Sequence, residues 1–542
     1  MKKIEGISLP QLPNEIVRNA RKTRLDAFAV ALEGWRRGLK LKWYTKDSEH
    51  FKDMIIFGVN PPGRLFSLSS SERTHYFFRT RGDKVSNEAV ELASDKGITK
   101  EILAKANVPV PRGKGFDEFA TDEEIIEYSR TLTYPLVCKP TDASLGMGVV
   151  TNIQNEAEFK EALHYVRHEL EYDEVIIEEH AQGKEYRFYV VDDQVIAVYN
   201  RIPANITGDG IHTIEELIEM KNYERRQNAR LNSCLIHTDN EIIRFINEKG
   251  YDLTSVPKAG EFILLREKTN VSIGGDPIDV TDEIDDQFKQ IAIDAVKAIP
   301  GLYHAGVDII IDDDETKERR AVVLEINATA QIGGILFPLR GKARNIPKAI
   351  IDFYFPETKG IDTTHSKIYF DMSTVLEPME NRSAMEVEVA PAPLGKLYAK
   401  KFSVIGNVTS ESYHRWLKRH AQDLGLHGHV KTVVFDEIEI IVAGTDPKKI
   451  GQFEKLIPQY TKGTRVRRIR SEVWNEPVTV GFDILEIYEV TSLRSAQHAL
   501  RRMEKEQIRL TRQKDRVEKD INHILNSTSW KVTEPLRNIM EK

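Results

Sequence analysis

The stretch YPLVCKPTDASLGMGVV, residues 134–150, limits the possible folds of this chain more than any other part of the sequence. It begins as an apolar, strand-like run, reaches the cation Lys139, and continues into a loop that contains Gly146 and Gly148. A P-loop places its lysine after the glycines, and a dinucleotide fingerprint reads G-x-G-x-x-G, so the stretch matches neither pattern. A cation followed by exposed backbone amides nevertheless suits a phosphate group.

Composition excludes several classes of protein. The chain has 542 residues, which is too many for one core and predicts several domains. Its net charge of −7 argues against nucleic acid as the main partner. The sequence has no run of 18 apolar residues and no signal-peptide pattern, and its two cysteines, Cys138 and Cys234, are far apart. We therefore expect a cytoplasmic protein without a membrane span.

Hydrophobic periodicity divides the chain into five segments. A mixed α+β body contains helical patterns near residues 156–170 and 286–299, separated by short β-rich runs. A second periodic segment reads strand, helix, strand, strand, helix, strand, which is typical of a ferredoxin-like sheet with helices on one face. The predicted segments are an N-terminal region 1–92, the body 93–355, a proline-dotted linker 356–396, the βαββαβ domain 397–486, and a helical tail 487–542.

Three polar side chains occur at the ends of two predicted neighbouring strands. Asp308 lies in AGVDII, and Glu325 and Asn327 lie in VLEINA. Residues i and i+2 of a strand point to the same side, so Glu325 and Asn327 can share one cation with Asp308 reaching in from the adjacent strand. Carboxylate and amide oxygens suit Mg²⁺, although acids at strand ends are more often simply solvated.

Together these features resemble the ATP-grasp family, with the greatest similarity to the ATP-grasp modules of cyanophycin synthetase and of bifunctional glutathione synthetase. The resemblance covers about residues 93 to 338 and rests on several long segments in the right order. The segments include ASDKGITKEILAKANVPVPRG, YPLVCKPTDASLGMGVVTNI, VIIEEHAQGKEYRFYVVDDQVIAVYNRIPA, and AGVDIII followed by VVLEINA. It implies an ATP-grasp fold with ATP and Mg²⁺ as cofactors, and Mn²⁺ as an alternative metal.

The resemblance also implies a role for individual residues. Arg201 and Arg266 match arginines that meet the transferred phosphate, and are the candidate catalytic residues. Asp308, Glu325 and Asn327 match the metal ligands. The residues that match the ATP site are the two lysines, the phosphate loop, the adenine hinge and the ribose-binding acid, namely Lys96, Lys139, Ser144, Gly146, Gly148, Glu178, Glu179, His180, Ala181 and Glu185.

The activity implied by the resemblance is ADP-forming ligation of a carboxylate to an amine through an acyl phosphate. Both substrates are then small molecules, and their identity is not implied, because NATAQIGG after the metal strand departs from the family pattern. A non-catalytic nucleotide-binding scaffold is the main alternative. ATP-dependent phosphorylation without ligation is another. Intact Lys96, Lys139, Asp308, Glu325 and Asn327 favour the enzyme.

The segment 397–486 resembles acylphosphatase in its element order and in LGLHGHV. Alignment to that motif places His414 at the position of the family's arginine and Thr432 at the position of its asparagine. Both residues differ from the family pattern, so we expect a catalytically silent domain with a structural or docking role. A ferredoxin-like domain of other ancestry remains an alternative.

The C-terminal tail is rich in charge and has apolar residues at steps of three, four or seven, among them Leu500, Met503, Leu510 and Val517. This spacing fits a coiled coil or a helical hairpin, or a solvated helix on its own domain. The final segment ILNSTSWKVTEPLRNIMEK resembles the end of bacterial glycosyltransferases of surface-polysaccharide pathways, and an amphipathic end-helix is the alternative. Residues 490–542 are thus predicted to mediate self-association or docking to a glycosyltransferase.

Overall fold

The structure is a computed structural model that describes residues 12, 14, 16–56, 62–141, 148–314, 320–363, 366–434, 436–460 and 463–485. The predicted helical tail 487–542 lies outside these residues. The described α-helices are Thr23–Arg36 (α1), Asn87–Ser94 (α2), Lys96–Lys105 (α3), Asp122–Ser129 (α4), Glu156–His164 (α5), Ile214–Gln227 (α6), Asn240–Asn247 (α7), Asp286–Ala298 (α8), Gly333–Leu336 (α9), Ile346–Tyr354 (α10), Met372–Glu380 (α11), Glu411–Asp423 (α12) and Pro447–Leu456 (α13).

The strands of the described residues fall into several sheets. In chain order they are Lys40–Tyr44 (β1), Leu65–Ser69 (β2), Thr74–Phe78 (β3), Arg81–Gly82 (β4), Gly113–Phe116 (β5), Leu136–Pro140 (β6), Val150–Ile153 (β7), Val175–Glu179 (β8), Lys184–Val191 (β9), Gln194–Ile202 (β10), Asn205–Thr207 (β11), Phe262–Leu264 (β12), Asp276–Asp279 (β13), His304–Ile311 (β14), Ala321–Asn327 (β15), Ile368–Tyr369 (β16), Glu386–Glu388 (β17), Tyr398–Asn407 (β18), His427–Val434 (β19), Glu437–Gly444 (β20), Arg465–Val473 (β21), Val478–Thr479 (β22) and Phe482–Leu485 (β23).

The described residues form two compact units. The first is drawn from Met1–Tyr398 together with Gly444–Asp446 and Asn475–Gly481, and the second from Ala399–Ala443, Pro447–Trp474 and the chain from Phe482 onward. Within the described ranges, no helix combines the length and apolar character needed to cross a bilayer.

Two sheets of the first unit carry the predicted site residues. One has the strand order β5-β8-β6-β7, and the other has the order β13-β10-β9-β14-β15. The second sheet buries one face against α8, where Phe288, Ala292 and Val296 pack on Phe188 and Val307 of the central strands. Because side chains alternate across a strand, the opposite face of these strands is left for polar residues.

A third sheet, of order β17-β1-β2-β3-β4, lies in the same unit and corrects the predicted linker. Residues 356–396 carry α11 and β17, and Val387 of β17 pairs with Trp43 of β1. Together with the two-residue strand β16, these elements are two to nine residues long, and α11 contains Pro378, so the segment shows no clear period in the sequence. The other segment boundaries stay predictions.

The second unit has the predicted element order βαββαβ, formed by β18, α12, β19, β20, α13 and β21. Its sheet order is β21-β18-β20-β19-β23, so β23, which the sequence did not indicate, adds a strand parallel to β19. Phe402 and Val404 of β18 and Leu417 of α12 are fully buried in its core. The predicted ferredoxin-like architecture is confirmed.

Candidate active site

Asp308, Glu325 and Asn327 lie together on the neighbouring strands β14 and β15, as predicted. Asp308 is directly opposite Glu325 in this antiparallel pair, and the register shifts next to them because Leu324 forms a β-bulge. Asn327 Nδ2 donates to Glu325 Oε1 at 2.9 Å. The carboxylates of Asp308 and Glu325 and the amide group of Asn327 therefore lie close together.

Two arginines from adjacent strands hold Asp308. Arg187 of β9 donates through Nε and Nη2 to the two carboxylate oxygens, each at 2.5 Å, and Arg201 Nη2 donates to Oδ2 at 3.0 Å. Burial alone would raise the pKa of Asp308, but the charges of Arg187 and Arg201 outweigh it and hold the pKa well below its usual range. Asp308 is therefore an anion at neutral pH.

Glu325 is in a different electrostatic position. Burial and then the charge of Asp308 raise its pKa. Two carboxylates so close repel each other when both are ionised, and a divalent cation between them would remove that repulsion. This donor set of two carboxylates and one amide fits Mg²⁺ or Mn²⁺, which fill their remaining positions with phosphate oxygens and water. In the described ranges there is no group of three or more His, Cys, Asp and Glu side chains that could hold a metal ion.

Arg201 joins the predicted ribose-binding acid to the same cluster. Its Nη2 forms an ion pair with Glu185 as well as with Asp308, while Thr269 Oγ1 donates to Glu185 Oε2 at 2.7 Å. The Nε atom of Arg201 is buried and has no hydrogen-bond partner among the described residues. Arg201, Glu185 and Asp308 thus form one connected group of charges.

Arg266 lies elsewhere. Its guanidinium donates to Glu241 Oε2 at 2.7 Å, to Asp239 Oδ2 at 2.8 Å and to the carbonyl of His237 at 3.2 Å, all at the start of α7. Arg266 is 4% exposed, so these partners anchor it in its own subdomain. Its predicted contact with the transferred phosphate stays a prediction.

The other sheet places Glu178 of β8 between two lysines. Lys139 of β6 forms an ion pair with Oε1, and Lys100 of α3 contacts Oε2 at 2.8 Å. Burial alone would raise the pKa of Glu178, but Lys139 and Lys100 lower it. The strand-ending lysine of the opening motif is therefore balanced by a buried acid.

Sequence reasoning missed Lys100 and Arg187. Lys100 lies one helical turn after the predicted ligand Lys96, which is the first residue of α3 and half-buried. Arg187 could have been found from its position in KEYRFYVV, because it is a charged residue inside a largely apolar strand, and a buried charge needs a partner.

The predicted adenine hinge, Glu178 to Ala181, ends β8. The amide of Glu179 donates to the Arg112 carbonyl and that of His180 to the Pro135 carbonyl, both at 2.8 Å. A cavity of about 350 Å³ adjoins the hinge, lined by Glu179, His180, Ala181, Gln182, Thr133–Pro135, Ile310, Asp312 and Arg320–Val322. Burial lowers the pKa of His180, so the imidazole in this cavity wall is neutral at pH 7.

The predicted phosphate loop is described only at its end. Ser144 and Gly146 lie outside the described residues, whereas Gly148 has a φ of +67°. A Cβ atom at Gly148 would lie 2.9 Å from Cγ of Pro140. Positive φ and this close approach both explain a glycine at position 148.

Comparisons with known proteins follow the same division of the chain. Residues 93–209 match the RimK-like ATP-grasp domain, and residues 400–484 match acylphosphatase. The glutathione biosynthesis bifunctional protein GshAB of Enterococcus faecalis is 35% identical over 314 residues, which are 56% of this chain and 41% of that protein. Cyanophycin synthetase of Trichormus variabilis is 37% identical over 332 residues, which are 60% of this chain and 34% of that protein.

Among solved structures, a bifunctional glutathione synthetase from Pasteurella multocida matches at 28% identity with a TM-score of 0.44, covering 54% of this chain and 41% of that one. The chain thus spans less than half the length of the relatives it matches here. The first match includes the sheet that carries Lys139 and Glu178, and the second coincides with the βαββαβ unit. The chain therefore contains a RimK-like ATP-grasp domain followed by an acylphosphatase domain.

Proposed function

We propose that this protein is an ATP- and Mg²⁺-dependent ligase that joins a carboxylate to an amine through an acyl phosphate. The observation that supports it most is the convergence of Asp308, Glu325 and Asn327 with Arg201 on the strands β10, β14 and β15. Carboxylate and amide oxygens next to a fixed guanidinium are the groups that phosphoryl transfer requires.

Each group of site residues would have a separate role in binding ATP or stabilising charge. Magnesium, held by Asp308, Glu325 and Asn327, would neutralise charge on the ATP phosphates. Lys139 and Lys96 would neutralise the remaining phosphate charge, and the hinge 178–181 would bind adenine through its backbone. Arg201, already next to Asp308, would stabilise the negative charge on the transferred phosphoryl group.

The reaction has two balanced steps. A substrate carboxylate oxygen attacks the γ-phosphorus of ATP, the bond to the bridging oxygen breaks, and ADP leaves. The amine nitrogen then attacks the acyl carbon, the bond to phosphate breaks, and the amine proton passes to the departing phosphate or to water. The protein contributes positioning and charge stabilisation, and this scheme needs no covalent enzyme intermediate. The two cysteines, Cys138 and Cys234, are buried and free, which fits packing.

The test is ADP release by the full-length protein with panels of carboxylic acids and with hydroxylamine as the amine. Hydroxylamine converts an acyl phosphate into a stable hydroxamate, so the expected result is equal amounts of ADP and hydroxamate for the right acid. Acid-dependent release of ADP without hydroxamate would favour phosphorylation without ligation. ATP binding without turnover for every acid would favour the scaffold.

We also propose a cytoplasmic location, where ATP is available and two free cysteines stay reduced. The resemblance of the C-terminal segment to glycosyltransferase ends supports a place in surface-polysaccharide or peptide synthesis, with docking or self-association through 490–542. These residues lie outside the described part of the chain.

A further inference from the structure

Arg230, which lies between α6 and α7, is buried without a carboxylate partner among the described residues. It is 5% exposed. Its Nη2 donates to Oε1 of Gln331 at 2.8 Å, and this amide oxygen is the one acceptor that the described part of the chain offers its side chain. A guanidinium has five N–H donors and does not lose its charge in a protein. Arg230 therefore carries a full positive charge with most of its donors unused.

The other buried arginines in the described part of the first unit all have more partners. Four of them pair with a carboxylate. The fifth donates to two backbone carbonyls and to the side chain of Asn87. In this order they are Arg37, Arg187, Arg225, Arg266 and Arg81. Since buried charges in proteins are paired, the missing partner of Arg230 is expected to be a ligand.

The unused donors of Arg230 are accessible. Its Nε and Nη1 make no hydrogen bond to a described residue, and neither atom is fully enclosed by protein. Gln331 is exposed, and because its Oε1 accepts from Arg230, its Nε2 amide group lies beside the guanidinium as a further donor. A guanidinium fork next to an amide donor suits the two oxygens of a carboxylate.

Two contacts hold Arg230 against the segment that follows β15. Asn228 Oδ1 accepts from the amide of Arg230 at 2.9 Å, and Asn228 Nδ2 donates to the Phe337 carbonyl at 3.1 Å. A Cβ atom at Gly333 would lie 2.7 Å from Cδ and 3.1 Å from Nε of Arg230. The protein thus sets the position of the side chain, and this preorganisation lowers the cost of binding a ligand.

The loop after β15 also contacts the proposed active site. A Cβ atom at Gly306 of β14 would lie 2.6 Å from Cβ of Ala330 and 3.3 Å from Cδ of Arg187, which holds Asp308. Gln331 is the residue after Ala330. Gln331 and the guanidinium that it accepts from are therefore one residue away from a contact with the Arg187–Asp308 pair.

Tyr199 of β10 links Arg230 to that pair a second time. A Cβ atom at Gly334 would lie 3.7 Å from Cε2 of Tyr199, which is 4% exposed. Burial raises the pKa of Tyr199, and the charges that act on its hydroxyl include those of Arg187, Asp308 and Arg230. The unpaired arginine and the proposed metal site are thus neighbours of one buried ring.

We propose that Arg230, with Gln331 beside it, binds a substrate carboxylate that is not the reacting group. The reacting carboxylate has to meet magnesium and Arg201, with which Arg230 shares no partner. This inference rests on the proposed ligase function and narrows its substrates. Either an amino acid supplies the amine and its carboxylate binds Arg230, or a dicarboxylic acid supplies the acyl group and its second carboxylate binds there.

The test is NMR titration of the full-length protein with Mg²⁺ and a non-hydrolysable ATP analogue. The probes are the proteinogenic amino acids, each compared with its carboxamide, and succinate compared with its half-amide succinamate. The variants are Arg230→Gln and Gln331→Glu. Arg226→Gln is the control, since Arg226 is an exposed arginine of the same segment that pairs with Glu219. Thermal melting and hydroxamate formation are measured in parallel.

We expect wild type to bind one carboxylate probe at least ~10-fold more tightly than its carboxamide. Arg230→Gln should abolish this preference and leave the affinity for the ATP analogue unchanged. Gln331→Glu should also weaken carboxylate binding, and it should raise the melting temperature because it supplies an anion beside Arg230. Arg226→Gln should behave as wild type. A preference among the amino acids assigns the bound carboxylate to the amine substrate, and a preference for succinate assigns it to the acid.

No carboxylate preference in wild type, or the same preference in Arg230→Gln, would overturn the inference. If Arg230→Gln does not fold, an unchanged preference in Gln331→Glu would overturn it equally. Hydroxamate formation together with an unchanged preference would keep the ligase and remove this role of Arg230. Carboxylate binding that depends on Arg230 in a protein that forms no hydroxamate would keep the carboxylate site and remove the ligase.

Discussion

At the scale of single residues, the opposed electrostatics of Asp308 and Glu325 determine what the candidate site can bind. Two arginines keep Asp308 ionised, whereas burial and Asp308 disfavour ionisation of Glu325. A divalent cation adds the charge that lets both acids ionise. The candidate site thus combines a fixed anion with a second acid whose charge a bound divalent cation would stabilise.

Replacing Glu325 by Gln should lower activity without lowering stability. We expect ADP release to fall at least ~10²-fold, because metal clamping supplies several kcal/mol to the transition state. We expect the melting temperature without divalent cations to stay equal or rise, since one of two repelling carboxylates is removed. Differential scanning fluorimetry and an ADP assay measure both, with exposed Glu388→Gln as control. Near-normal turnover would remove Glu325 from the site.

Lys100 supports a second residue-scale prediction. Lys100→Met leaves Glu178, which is 4% exposed, with Lys139 as its partner. A half-compensated buried acid destabilises by about 1–3 kcal/mol, and we expect KM for ATP to rise. Urea unfolding and steady-state kinetics test this, with Lys105→Met on the same helix as the exposed control. Equal effects of the two variants would contradict a role for Lys100.

Sequence predicted some of these residues and not others. The two-residue spacing in VLEINA was enough to place Glu325 and Asn327 together, because strand periodicity is a local property. Lys100 and Arg187 were missed because their partners, Glu178 and Asp308, are 78 and 121 residues away. A local sequence pattern does not indicate which residue, so far along the chain, a side chain will contact.

At the scale of elements, the sequence predicted the βαββαβ unit correctly, whereas it predicted a linker where the structure has α11 and β17. Regular strands and helices of about ten residues carry clear periods. The three-residue strand β17 depends on pairing with β1, more than 340 residues earlier, and two or three residues cannot show a period. Edge strands of this length follow from tertiary pairing.

The first turn of α12 gives an element-scale prediction. His414 lies there, is 5% exposed, and has its pKa lowered by burial, so it is neutral at pH 7 where acylphosphatases have an arginine. We expect the full-length protein to hydrolyse benzoyl phosphate no faster than buffer, because no fixed cation binds the phosphate at this position. Phosphate release is the measurement. Hydrolysis that His414→Ala abolishes would show that the domain is active.

At the scale of the whole molecule, His304 and Tyr354 join two sheets of the first unit. His304 Nε2 and the Tyr354 hydroxyl are 3.1 Å apart, and the Tyr354 ring packs on Phe77 of the N-terminal sheet. Burial lowers the pKa of His304 to about 3, so the folded protein keeps this imidazole neutral. The unfolded chain binds a proton there near pH 6.5.

Lowering the pH should therefore reduce the stability of the first unit against unfolding. The contribution of the neutral His304 side chain to the free energy of unfolding is complete above about pH 6.5. It is lost as the pH falls toward the pKa of His304 in the folded protein, at up to ~1.4 kcal/mol per pH unit. We expect the free energy of unfolding to fall between pH 7.5 and 5.5, and His304→Gln to reduce that difference by roughly 1 kcal/mol. Urea titrations at the two pH values provide the measurement, with exposed His50→Gln as control. An unchanged difference in His304→Gln would contradict the assignment.

The chain leaves the second unit after Trp474, adds Val478 and Thr479 to the first unit beside Ile368 and Tyr369, and returns at Phe482. One cut at residue 399 therefore separates Val478 and Thr479 from their strand partners Ile368 and Tyr369, although every described residue of the second unit stays on one fragment. A fragment that begins at residue 399 consequently exposes the backbone groups of a two-residue strand that are paired in the full chain, and those groups then need water or another strand as their partner.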